Sequence, residues 1–231
     1  MTLPALEVRR LHKQFVSPDG ETVPIVDIES LELAPAQQAA LVGRSGSGKT
    51  TLLHMIAGIL RPDSGSIRIA GHELTTLSES QRDALRARHI GYIFQTFNLL
   101  QGYSALENVE LAMRFGRGVQ PGRARELLTR VGLEQRLHYR PRQLSVGQQQ
   151  RVAVARALAG KPTLVLADEP TGNLDAAHAD AALGLIREIC REQGAALLLV
   201  SHDPAILARF ETVWQLDELN QAAAAHARSA P

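Results

Sequence analysis

The apolar positions of this chain recur at two spacings, and the change from one to the other outlines its elements. Short runs rich in Val, Ile and Leu, interrupted by Pro and polar turns, occupy LEVRRLHKQF and ETVPIVDIESLELAPAQQAALV. They predict several strands, some of them antiparallel, the last ending at AALVG. Residues 50–60 take up a helical spacing. GSIRIAG then predicts a strand between glycines, SESQRDALRAR a helix with Ser78 or Ser80 as its N-cap, and IGYIF a further strand. From residue 105 to 160 the spacing is helical almost throughout, in ALENVELAMRF, GRARELLTRVG and VGQQQRVAVARALAG. Strand and helix alternate again in TLVLAD, a helix near residues 176–192, the strand ALLLV and a short helix after Asp203. This order predicts an α/β fold. Residues 1–95 and 161–219 form an α/β core with an antiparallel β subdomain, and residues 96–160 an inserted all-helical subdomain. The Ala-rich end, residues 220–231, predicts a frayed tail.

Composition narrows the setting. At 231 residues there is room for one sizeable domain, and 45% apolar with 21% charged residues describes an ordinary globular chain. A net charge of +1 implies no general attraction to nucleic acid or anionic lipid. The single cysteine, Cys190, has no internal disulfide partner and implies a reducing compartment. MTLPALEVRR lacks the apolar centre of a signal peptide, and no run reaches the ~18 apolar residues that a membrane span needs. A soluble, cytoplasmic protein is expected.

In TLVLADEPTGNLD, residues 163–175, an apolar strand ends on two adjacent acids, Asp168 and Glu169, with Asp175 further on. Neighbouring carboxylates at the end of a buried strand repel each other and lose hydration, so a cation or a reaction must account for them. GRSGSGKTT, residues 43–51, supplies a candidate: it matches G-x-x-x-x-G-K-[ST] between a predicted strand and helix. Gly43, Gly46 and Gly48 free the backbone to wrap a polyphosphate, and the helix N-terminus adds positive potential. Lys49 then reaches the β- and γ-phosphates, and Thr50 offers its hydroxyl to Mg²⁺. Asp168 holds that cation, directly or through water. Glu169 either accepts a proton from the water attacking the γ-phosphate or is a solvated loop acid. LSVGQQQR, residues 144–151, opens a long helix with a serine and a glycine. Taken alone, Ser145 is an N-cap; beside the phosphate loop and the paired acids it is a second candidate anion site, in a different lobe.

In this order, and over nearly the whole chain, these motifs resemble those of the nucleotide-binding domain of ATP-binding cassette proteins. The resemblance implies a P-loop NTPase core of the RecA-like kind that binds ATP with Mg²⁺. Gly43, Arg44, Ser45, Gly46, Ser47, Gly48, Lys49, Thr50 and Thr51 fall on the Walker A loop. Gln95 in IFQTFNLL falls on the Q-loop glutamine, and Ser145, Gly147 and Gln148 fall on the signature. Asp168 closes the Walker B strand, Glu169 falls on the catalytic carboxylate, Asp175 on the D-loop and His202 on the H-loop. Phe15 sits where the family places an aromatic ring against adenine. Catalytic roles for Glu169, His202 and Gln95 are implied, with Mg²⁺ contacts from Thr50, Gln95 and Asp168. On residue type alone Gln95 is equally a polar strand end and His202 a neighbour of a helix N-cap. Two departures stand out. Val146 replaces the first of the signature's two successive glycines, and QLDELNQ replaces an Asp-Gly turn, which predicts a shortened final hairpin.

The resemblance also implies partners. Two copies pair head to tail, each signature closing over the other copy's nucleotide, so one chain needs two anion sites. With no membrane span of its own, the chain is expected to drive a separate integral membrane permease from the cytoplasmic face of the membrane. LSESQRDALRARHIGYIFQTFNLLQGYSALENV with ADEPTGNLD is similar to the lipoprotein-releasing, macrolide-export and cell-division cassette group, so export or extraction from the membrane is expected. Two alternatives remain at this stage. One is an amino-acid importer cassette, which shares FNLL but usually carries DEPTSALD. The other is a regulatory ATPase acting through a membrane partner on cell-wall enzymes. No nucleic-acid partner is expected. Only about fifty residues separate Gln95 from Ser145, too few for the long insertions of chromosome and repair cassettes.

Overall fold

Strands β7 (Leu164–Asp168) and β8 (Ala196–Val200) are buried at all five positions each, and β3 (Gln38–Val42) at its three central ones. Unbroken apolar runs of this kind suit a parallel sheet covered on both faces. In the computed structural model, which describes residues 3–120, 122–172 and 174–222, these strands form the middle of a five-stranded sheet. Its order is β6-β7-β8-β3-β9, with β6 (Ile90–Ile93) and β9 (Thr212–Gln215) at the edges, and every pairing is parallel. Strands β1 (Leu6–Val16), β2 (Thr22–Leu33), β4 (Ser64–Ile69) and β5 (His72–Glu73) form a separate antiparallel sheet of order β2-β1-β4-β5.

The pleat of the parallel sheet divides the core in two. Leu164, Leu166, Leu198 and Val200 pack with the antiparallel sheet and helix α1 (Lys49–Ile56). The intervening Val165, Ala167, Leu197 and Leu199 pack with the helices on the other side. Alternate side chains of a strand point to opposite faces, so the same five-residue strands serve both layers. The helical side contains α3 (Ala105–Phe115), α4 (Arg123–Arg130), α5 (Val146–Ala159) and α6 (Ala176–Gln193). Cys190 is buried within it, and burial pushes its thiol up to about 12, which leaves it unreactive.

Local chemistry sets the helix ends. Helix α2 (Glu79–His89) starts at Ser78, not Ser80: Ser78 accepts from the Gln81 N–H while Gln81 returns a bond to the Ser78 N–H. Ser104 and Glu107 do the same for α3. The helical stretch is less continuous than its spacing predicts. Between α4 and α5 the chain makes only two 3₁₀ turns, Glu134–Arg136 and Pro141–Gln143, the second opened by a proline with no N–H to give.

The chain end also differs from expectation. After α7 (Pro204–Leu207), β9 runs parallel to β3 and leads into a helical turn, α8 (Leu216–Leu219), so among the described residues no final hairpin forms. The frayed tail expected from residue 220 does not begin there: Asn220 and Ala222 are buried, and residues 223–231 lie outside the described residues.

Candidate functional site

The carboxyl ends of four neighbouring strands converge on one cavity of about 770 Å³, the position where open α/β sheets bind ligands. Strand β3 delivers the glycine loop, β6 delivers Gln95, β7 the two acids, and β8 His202. Because β8 lies between β7 and β3, the histidine stands between acids and loop.

The loop is shaped by a close approach. Gly48 has φ +96°, and a Cβ there would lie 2.9 Å from the Ile25 carbonyl oxygen, so only glycine fits. Gly48 is also the N-cap of α1 and brings no side-chain cap, leaving first-turn N–H groups for an anion. Lys49 Nζ donates to the carbonyls of Gly43 and Arg44, at 2.8 and 2.7 Å, and so arches over the loop it follows. Arg44, Ser45, Gly46, Thr50 and Thr51 line the same cavity. Ser47 does not: its Oγ is buried without a partner, 2.8 Å from where a Cβ on Gly43 would sit. Phe15, on β1, lines the same cavity and is 43% exposed, with the Lys13 ammonium 5.3 Å from its ring centroid.

Asp168 is buried beneath the cradle. Burial raises its carboxyl above the usual carboxylate range; the Thr50 hydrogen bond, His54 and Lys49 pull it down, and Glu169 pushes it up again. Glu169 departs from the strand at φ +46°, a left-handed conformation that a non-glycine residue holds only when its surroundings enforce it. Its N–H donates to the Val200 carbonyl at 3.0 Å and its carbonyl accepts from Gly172 at 3.1 Å. His202 Nδ1 lies 2.8 Å from Glu169 Oε1. In that pairing the Nδ1–H tautomer of His202 donates to the carboxylate oxygen, which can only accept when ionised.

The other predicted residues gather elsewhere. Ser145, Gly147, Gln148 and Asp175 line a second cavity of about 470 Å³, and no described residue lines both. Ser145 caps α5, accepting from the Gln148 N–H at 3.3 Å while Gln148 Oε1 accepts from the Ser145 N–H at 3.0 Å. Val146 is the first residue of α5 and takes no positive φ, so the missing glycine introduces no backbone strain. Its side chain is half exposed at the mouth of the second cavity.

Two residues outside the motifs join these pieces. Gln150, buried on α5, donates its amide to the Pro170 carbonyl, directly after Glu169. Arg156, further along α5, donates to the carbonyls of Phe97 and Asn98, both at 2.6 Å, just after Gln95. The helix that begins at Ser145 is thus tied to both the acid turn and the glutamine loop. The only sequence signal for either was polarity at core-facing positions of an otherwise apolar helix face.

Residues 26–172 match the family model described as ABC transporter. The chain belongs to that family. The cassette is 46% identical to the lipoprotein-releasing system ATP-binding protein LolD 1 of Caulobacter vibrioides, covering 88% of each chain. It is 47% identical to the macrolide export ATP-binding/permease protein MacB of Syntrophobacter fumaroxidans, over 80% of this chain and 26% of that one. Among solved structures it superposes on the cassette MJ0796, in a dimeric post-hydrolysis state with ADP and Pi, with a TM-score of 0.84 and 32% identity over 94% and 95% of the two chains. The cassette is therefore a nucleotide-binding ATPase with the P-loop fold.

Proposed function

We propose that the cassette is the ATP-hydrolysing subunit of a membrane complex that exports substrate or extracts it from the membrane, working as a head-to-tail pair. One observation carries the pairing. The phosphate cradle and the serine-capped helix open onto separate cavities, so a nucleotide in the cradle of one copy can be completed by Ser145 only from another. The dimeric state named for the cassette it superposes on supports the same reading.

The residues assign themselves by chemistry. Lys49 and the first-turn N–H groups of α1 hold the phosphates, and Phe15 stacks on the base. The Thr50 hydroxyl and Asp168 carboxylate are adjacent hard oxygen donors. No cluster of three or more His, Cys, Asp or Glu side chains able to hold a metal by itself occurs among the described residues. That incomplete donor set fits Mg²⁺, which keeps water and phosphate oxygens as ligands. When bound, the ion neutralises charge on the phosphate oxygens. Glu169 takes a proton from the water whose oxygen bonds to the γ-phosphorus as the bond to the β–γ bridging oxygen breaks, releasing ADP and phosphate. His202 orients that carboxylate, and Gln95 reports the state of the site to the helical side. Hydrolysis per chain is expected to rise with protein concentration, followed by phosphate release alongside light scattering. A rate per chain that stays constant while the protein remains monomeric sinks the paired mechanism.

A second surface supports a membrane partner. No helix among the described residues is long and apolar enough to cross a membrane. A groove of about 540 Å³ between α2, α3 and the start of β6 exposes Ile59 and Phe115, the latter 71% accessible. Its floor includes Asn98 and Arg156, so a partner seated there touches the contact that ties α5 to the Gln95 loop. The names of the relatives, a lipoprotein-releasing protein and a macrolide exporter, support a permease at the cytoplasmic membrane face as the occupant. Phe115→Asp is expected to free the cassette from washed membranes of its native cell, with the ATPase rate of the isolated protein within about twofold of native. Unchanged sedimentation with membranes places the partner elsewhere.

A further inference from the structure

The C-terminal segment, with no motif in it, is built into the phosphate cradle. Asn220 follows α8 and is 3% exposed. Its Oδ1 accepts from the N–H groups of Asp27 at 2.7 Å and Ala222 at 3.3 Å. Its Nδ2 donates to the carbonyls of Ile25 at 2.8 Å and Ser47 at 3.2 Å. Both amide hydrogens and both carbonyl lone pairs are thereby used, the full capacity of a carboxamide. The backbone beside it is fixed to the antiparallel sheet, Asn220 bridging Ile28 and the Gln221 N–H donating to the Asp27 carbonyl at 2.8 Å. The same segment reaches the start of the loop. The Leu216 Cβ lies 3.1 Å from where a Cβ on Gly43 would sit, and Asp217 pairs with Arg44 at 2.9 Å.

We infer that Asn220 is a positioning residue for nucleotide binding, holding the Ser47 carbonyl from behind so that the Gly48 N–H is aimed into the phosphate cavity. In a trans peptide the C=O and the following N–H point in opposite directions, so anchoring the Ser47 oxygen sets the direction of the Gly48 donor. Gly48 lines the cavity, whereas Asn220, which holds the preceding carbonyl, does not. Donation to the carbonyl also polarises the peptide unit and strengthens its N–H as a donor. The anchor is β2, a long paired strand, so the loop's last turn is referred to the rigid sheet. This inference rests on reading residues 43–51 as the cradle.

Asn220→Asp is isosteric and keeps the acceptor for the Asp27 and Ala222 N–H groups, but loses the donor to Ser47 and Ile25. Near neutral pH it is expected to raise the KM for ATP and the Kd for ADP roughly five- to tenfold, with kcat within about twofold. Burial against two carbonyls favours the protonated acid, which donates again. The ratio of Asn220→Asp to native KM should therefore fall between pH 8 and pH 6, whereas Asn220→Leu should show a raised KM with no such recovery. The recovery is read within one preparation, which a partly unfolded sample does not mimic. If both variants keep native KM and ADP affinity and lose only melting temperature, Asn220 merely pins the chain end and the inference fails. Lys49→Ala separates the layers: should it leave ADP affinity unchanged, the cradle reading itself fails.

Discussion

Glu169→Gln is expected to lower steady-state ATP hydrolysis by at least about 10²-fold while leaving ATP affinity within about twofold. The substitution changes one atom's worth of basicity and little else. An amide at this position still meets His202 Nδ1, which lies 2.8 Å from the native carboxylate. The backbone that fixes the residue at φ +46° is held by Val200, Gly172 and the Gln150 amide on Pro170, none of which involves the side chain. What is lost, on the proposed mechanism, is the proton acceptor for the attacking water. Binding is expected to persist because the proposed phosphate holders, Lys49 and the α1 N-terminus, lie at a different strand end. Burial is the main cause that raises the Asp168 carboxyl and Glu169 adds to it; removing the Glu169 charge also makes the cavity less negative toward an anionic ligand. Steady-state phosphate release and calorimetry with a non-hydrolysable ATP analogue separate the two effects. Turnover near the native rate removes Glu169 from the role of base and leaves it a loop acid held by His202.

The contrast between what spacing revealed and what it hid has a physical basis. Strands β7 and β8 announced themselves because both of their faces are buried, which demands apolar residues at every position. The glycine loop was legible because its function is performed by backbone, and only a narrow set of residue types allows that backbone, as the 2.9 Å approach of Ile25 to Gly48 illustrates. Gln150, Arg156 and Asn220 escaped for the opposite reason. Each acts by a side-chain bond to a carbonyl 20, 58 or 173 residues away, a pairing that leaves no local period. The same holds for α8. QLDELNQ lacks a turn signal, yet the decisive contacts, Leu216 under Gly43 and Asp217 on Arg44, are long-range. Tertiary contacts decided the placement of residues 216–222, where composition suggested that a tail begins at 220.

The proposed head-to-tail arrangement makes a prediction that no single-chain enzyme shares. Lys49→Ala and Ser145→Glu should each reduce hydrolysis by about 10²-fold, the first by disabling the cradle, the second by placing a carboxylate where a terminal phosphate must sit. Mixed in equal amounts, the two inactive proteins should recover activity. In a mixed pair one site combines the damaged cradle with the damaged signature, and the other combines an intact cradle with an intact signature. Random pairing makes about half the dimers mixed, each with one working site of two, so recovery should approach about a quarter of the native rate per chain. The two residues suit this test because they line separate cavities, and neither substitution touches the other's surroundings within one chain. The Ser145 hydroxyl accepts from the Gln148 N–H of its own capping box and the Ser145 carbonyl from Gln149, so a side-chain change stays at the tip of α5. Each variant mixed with native protein gives the reference for simple dilution. A mixture no more active than the average of its components means that the serine-capped helix never closes another copy's nucleotide, and the two cavities then require separate explanations.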